Sequence, residues 1–144
     1  MKRSGDYLVC KNEADSFLET AKWCESDLGA FLLGQMYPFA VNIAFSCELY
    51  LKAIMIFDSE KDEFETGHSL KDLYAKLNAN DKKGIEAIYN VKSFKKLNEL
   101  LDESDKTFEQ WRYAFEAGVT ICVDGMIAFA ESLKEYIEST KISV

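Results

Sequence analysis

The stretch AFSCELYLKAIMIF, residues 44 to 57, is the most apolar run in the chain, yet it carries two charges, Glu48 and Lys52, four residues apart. Together with the residues before it, the run from 37 to 57 is about long enough to span a bilayer as a helix. Asn42, Glu48 and Lys52 would then sit at or near the hydrocarbon centre, where each is costly. Amphipathic segments on either side can cover such a helix, so it reads better as the central member of a soluble bundle than as a membrane span. Pro38 suits its first turn, where a missing N–H loses no partner, and the helix is expected to reach about Phe57.

The covering segments show helical spacing. Phe17, Ala21, Cys24, Leu28 and Phe31 recur at intervals of four and three, which predicts a first helix over about 12–34 with Gly34 as its stop. The polar DSEKDEFETGH stretch reads as a loop. Ser69 with Asp72 three residues on resembles a capping box, followed by Leu70, Leu73, Tyr74 and Leu77 on a short amphipathic helix. Asp81 is expected to cap another, with Ile85, Ile88 and Tyr89 inward, and Phe94, Leu97, Leu100 and Leu101 mark a third short helix.

The segment TFEQWRYAFEAG allows two readings: Phe108, Trp111 and Phe115 have helical spacing, while the aromatic density also suits an irregular loop pinned to the core. Val119, Val123, Met126, Ile127, Ala130, Leu133 and Ile137 then predict a long last helix. No segment alternates well enough to be a strand. The expected fold is an all-α, up-and-down helical bundle, with three long helices and shorter ones between, as a single domain over residues 1–144.

Composition agrees: 48% hydrophobic and 29% charged residues, one proline and seven glycines suit a compact helical domain. Net charge is −8, from 25 acidic against 17 basic residues, which makes nucleic acid an improbable partner. The basic run Lys82, Lys83, Lys92, Lys95 and Lys96 is diluted by Glu86, Glu99 and Asp102 and reads as a solvated face. Cys10, Cys24, Cys47 and Cys122 have no paired spacing, and His68 is the only histidine, so neither a metal site nor a cofactor is expected. Reduced thiols packed in the core are expected instead. The N-terminal MKRSGDYLVCKNEADSF has no long apolar run, from which a cytoplasmic location is expected.

Glu48 and Lys52 are i, i+4 neighbours in the favourable order. On a helix that is otherwise apolar, they need further partners, because a buried charge is tolerated only when paired. The candidates are His68, just before Ser69, and Arg112, flanked by Trp111 and Tyr113, whose guanidinium can grip a carboxylate in two places. Glu48, Lys52, His68, Trp111, Arg112 and Tyr113 therefore form the candidate polar cluster, structural or ligand-binding. The alternative is two separate surface pairs. No catalytic residue is assigned: there is no nucleophile elbow, glycine-rich phosphate loop, HExxH pair or DxDxDG loop, and ELLDESD at 99–105 reads as a solvated helix end.

AFSCELYLKAIMIF, GHSLKDLYAKL and WRYAFE, in that order before a long closing helix, resemble the HEPN superfamily over roughly residues 12–138. The likeness lies in the E-x-x-L-K run, the G-H-S/D-L start of the next helix, and an R-Y pair ahead of the last one. The resemblance implies a helical bundle that dimerises. Many members are metal-independent ribonucleases with an arginine followed, after four to six residues, by a histidine. Here the corresponding positions after Arg112 are Ala117, Gly118 and Val119, those after Arg3 are Leu8, Val9 and Cys10, and His68 precedes Arg112. The chain is more similar to members without that pair, which bind nucleotides or accompany a minimal nucleotidyltransferase in defence or toxin-antitoxin systems. The expectation is thus a noncatalytic, dimeric domain that binds a nucleotide or a partner protein. A ribonuclease with a rearranged His68/Arg112 site and a purely structural helical module are the alternatives.

Overall fold

A computed structural model describes residues 1–26, 36–110 and 125–142. Among these lie β1 (Lys2–Ser4), α1 (Tyr7–Glu25), α2 (Met36–Asp58), β2 (Glu63–Glu65), α3 (Leu70–Ala75), α4 (Ala79–Lys92), α5 (Leu97–Gln110) and α6 (Met126–Thr140). The fold is an all-α helical bundle with one small two-stranded ribbon.

α2 is its centre. It packs against α1, α3, α5, α6 and β2, burying Phe39, Ile43, Cys47, Tyr50, Leu51 and Ile54. A helix in contact with neighbours on every side needs apolar residues on every side, which is why its sequence shows no stripe. By length and composition Tyr37–Asp58 is the one helix among the described residues that could cross a membrane, and 72% of its apolar window is buried within the bundle. Ser46 ties it to α1, donating its hydroxyl to the Ala14 carbonyl at 2.8 Å.

α1 begins at Tyr7, earlier than the stripe indicates. Asp6 caps it by accepting from the Val9 N–H at 3.0 Å, a polar signal that apolar periodicity does not register. Its buried face is Ala14, Leu18, Ala21 and Cys24, while Phe17 is half-buried against Phe45, ring centroids 5.6 Å apart. Described α1 ends at Glu25, and Leu28, Phe31 and Gly34 lie outside the described residues.

The expectation of no strand is corrected by β1 and β2, which pair antiparallel with Lys2 opposite Glu65, Arg3 opposite Phe64 and Ser4 opposite Glu63. Three residues are too few to show alternation, and the pairing joins segments about sixty positions apart. Asp62, at φ 54°, turns the chain into β2, and its carbonyl accepts from the Gly5 N–H at 2.9 Å. The DSEKDEFETGH loop therefore contains a strand.

Ser69 caps α3 as expected, its hydroxyl accepting from the Asp72 N–H at 3.2 Å. Asp81 does not cap α4. Asn78 does, accepting from the Asp81 N–H at 2.8 Å, because the helix starts at Ala79 and Asp81 already falls within its first turn. Ile85 and Tyr89 are buried and Ile88 half-buried. In α5, Leu97, Leu100 and Leu101 face the core, but Phe94, three residues before the helix begins, is fully exposed. α6 buries Met126, Phe129, Ala130, Leu133 and Ile137, with Ile127 half-buried. Val119 and Val123 lie outside the described residues, as does everything in TFEQWRYAFEAG beyond Gln110, where α5 ends.

Candidate functional site

The helical turn between Glu48 and Lys52 brings the ammonium to 3.1 Å from Glu48 Oε2. Neither is a surface residue: Glu48 is 5% exposed and Lys52 8%. The other carboxylate oxygen, Oε1, lies 2.9 Å from His68 Nδ1. A carboxylate paired to an ammonium only accepts, so the imidazole carries its proton on Nδ1. The positive φ of Gly67, 124°, turns the chain just before His68. Ser69, while capping α3, donates to Asp105 Oδ1 at 2.8 Å and so fastens this turn to α5.

The three residues occupy different depths. Lys52 points toward β2, its Nζ 5.6 Å from the centre of the Phe64 ring. His68 meets solvent, with 73% of its side chain exposed. Glu48 thus acts as a buried hinge pin, compensated from inside by Lys52 and holding an exposed imidazole in one orientation. Such an arrangement can present a ring nitrogen to a ligand or move a proton at the surface. Lys52, held by Glu48, is an internal counter-charge rather than a ligand-facing cation.

Cys10 borders the cluster, donating its thiol to the Leu49 carbonyl at 3.1 Å. Burial, and next the negative charge of Glu13, push the Cys10 thiol up to about 12, so it is no nucleophile at neutral pH. Cys24 and Cys47 are buried free thiols, and Cys122 lies outside the described residues. No three His, Cys, Asp or Glu side chains converge on a metal-sized site among the described residues.

Of the six residues expected in the cluster, Glu48, Lys52 and His68 come together, and Trp111, Arg112 and Tyr113 lie outside the described residues. The acids of 99–105 are largely engaged: Asp102 with Lys71 at 2.7 Å, Glu103 with Lys95, Asp105 with Ser69. Part of the basic run is neutralised too, Lys92 by Glu135 at 3.0 Å and Lys95 by Glu103. Between α3, α4 and α5 lies a surface groove of about 530 Å³, lined in part by Lys71, Tyr74, Lys82, Glu86 and Asn98. Sequence reading missed a further polar group, Asp58, Asp81, Tyr136 and Lys141, whose members come from three segments and form no motif.

No protein-family model, curated protein or solved structure matches this chain.

Proposed function

We propose that the chain is a noncatalytic, HEPN-like helical domain of the cytoplasm that dimerises and binds a nucleotide or a partner protein such as a minimal nucleotidyltransferase. One observation carries this reading: the E-x-x-L-K run of α2 and the G-H-S-L start of α3 meet through Glu48, which joins Lys52 and His68. Two of the three motifs behind the resemblance are therefore one spatial unit, and its solvent-facing member is an oriented imidazole. The groove beside α3, at about 530 Å³, is in the size range of small-molecule sites.

A thermal-shift series with purine and pyrimidine nucleotides tests the nucleotide form. Ligand at a hundred times its dissociation constant should stabilise by about 2.7 kcal/mol, and His68→Ala should diminish the shift. A null result with every nucleotide, together with a monomer mass in light scattering, would leave only the structural helical module.

The Glu48–His68 bond also favours a second reading. A carboxylate that orients a histidine is the usual support of a general acid–base, so a ribonuclease using His68, and Arg112 beyond the described residues, is the enzymatic alternative. RNA degradation by the purified chain, abolished in His68→Ala, would replace the noncatalytic reading.

A further inference from the structure

Away from His68, the bundle holds a polar cluster that the proposed binding role does not use. Asp58 ends α2, Asp81 lies in the first turn of α4, and Lys141 caps the end of α6. The Lys141 ammonium lies 2.6 Å from Asp58 Oδ1 and 3.0 Å from Asp81 Oδ1. Tyr136, on the last turn of α6, donates its hydroxyl to Asp81 Oδ1. Asn78 donates to Asp58 Oδ2 at 3.2 Å, and Tyr7 of α1 donates to the Lys141 carbonyl at 2.5 Å.

One atom in this cluster is out of balance. Asp81 is 2% exposed, and its Oδ2 is buried with no donor. The shared Lys141 ammonium holds the Asp58 and Asp81 carboxyls beside each other, but an ionised carboxylate has nothing to donate. A proton on Asp58 makes that carboxyl a donor toward Asp81. It also brings two carboxylates and one ammonium to neutrality in a partly buried site, where an excess charge is costly.

We propose that Asp58 and Asp81 form a proton-sharing pair that latches the C-terminal end of α6 onto α2 and α4. With one proton bound, the pair is closed by its own hydrogen bond as well as by Lys141 and Tyr136. With none, Lys141 and Tyr136 hold two carboxylates that repel each other.

Neighbouring charges leave Lys141 as the cation for the pair. On α1, Lys11 is engaged by Asp15 at 2.8 Å and by Glu138 of α6 at 3.4 Å. On the β2 side, Lys76 faces Glu65 at 3.7 Å. Burial, and then the hydrogen bond with Asp81, raise the Asp58 carboxyl above its ordinary range. Burial pushes Asp81 the same way, but its hydrogen bonds with Asp58, Tyr136 and Lys141 outweigh that and hold it below the ordinary range. Stability from Asp58 is therefore full below the ordinary carboxyl value and lost as pH rises through its raised value. Stability from Asp81 is present above the ordinary value and lost as pH falls through its lowered one. The latch is tightest in the acidic window between them and loosens toward neutral pH.

Carboxyl-carbon NMR titration of the whole chain, with hydrogen exchange of the Lys141 amide, tests this. That amide bonds the Ile137 carbonyl at 2.8 Å and so reports the last turn of α6. The Asp58 and Asp81 titrations should move apart in opposite directions. The Lys141 amide, after correction for intrinsic rate, should be protected several-fold more near the ordinary carboxyl value, at about pH 4, than at about pH 7. Asp58→Asn supplies a permanent donor, so its protection should be high and independent of pH over that range. Two ordinary, independent titrations in the wild-type chain would overturn the proposal, as would unchanged pH dependence in a folded Asp58→Asn variant.

Discussion

The ring of Tyr136 packs so tightly on Gly84 that a Cβ at residue 84 would lie 2.3 Å from Tyr136 Cε1. Gly84 sits mid-way along α4, where glycine is a poor helix former, so its presence is explained by this crossing of α4 and α6. Replacing a helical glycine by alanine ordinarily gains about 1 kcal/mol. Here the ring cannot swing aside freely, because its hydroxyl is bonded to Asp81. Gly84→Ala is therefore expected to destabilise, by about 1 to 3 kcal/mol, read from the midpoint of urea unfolding. In the Tyr136→Phe background the ring is untethered, and the added loss should be smaller than in the wild type.

Glu48 and Lys52 compensate each other out of water, so removing one should cost more than removing both. Lys52→Met strands a carboxylate at a site 5% exposed and is expected to lose about 3 kcal/mol. Glu48→Leu with Lys52→Met removes the stranded charge and should lie nearer the wild type in the same denaturant series. Equal losses in the single and double variants would mean that the pair is not buried together.

The thiols of Cys10 and Cys47 should resist alkylation in the folded chain. Burial raises both, Cys10 to about 12, so at about pH 8 the thiolate fraction is very small. Mass-spectrometric mapping after iodoacetamide treatment should find both unmodified in native protein and both modified in denaturant. For Cys10, the rate in native protein should still be rising with pH at about pH 10, where an ordinary thiol has levelled off.

Asn78 and Asp81 sit three residues apart at the start of α4 and perform different tasks. Asn78→Ala removes the capping bond and the exposed bond to Asp58 and should cost about 1 to 2 kcal/mol. Asp81→Ala also strips Tyr136 and Lys141 of their buried acceptor and should cost more, about 3 kcal/mol, in thermal unfolding. A larger loss for Asn78→Ala would mean that Asp81 is not the buried acceptor that holds Tyr136 and Lys141.

α2 was legible because a helix apolar on every side has one comfortable place, the centre, and because charges placed within it demand partners. Ser69 was legible for a similar reason: its cap is a bond to a backbone group three residues away. The Glu48–Lys52 pair spans one turn and could be read from spacing. His68 could be named as a candidate only by residue type, since nothing local says that it returns to Glu48.

The amino-acid sequence by itself determined the helical class, the central helix, the Ser69 cap and the i, i+4 pair, all of which depend on interactions within a turn or on the period of one face. Only the tertiary structure decided that β1 pairs with β2, that Asn78 rather than Asp81 caps α4, and that Asp81 is buried against Tyr136, 55 residues away. It also decided that Tyr7 donates to the Lys141 carbonyl, 134 residues on. Such contacts are chosen by how packed helices bring their ends together, and a one-dimensional pattern carries no record of which ends will meet.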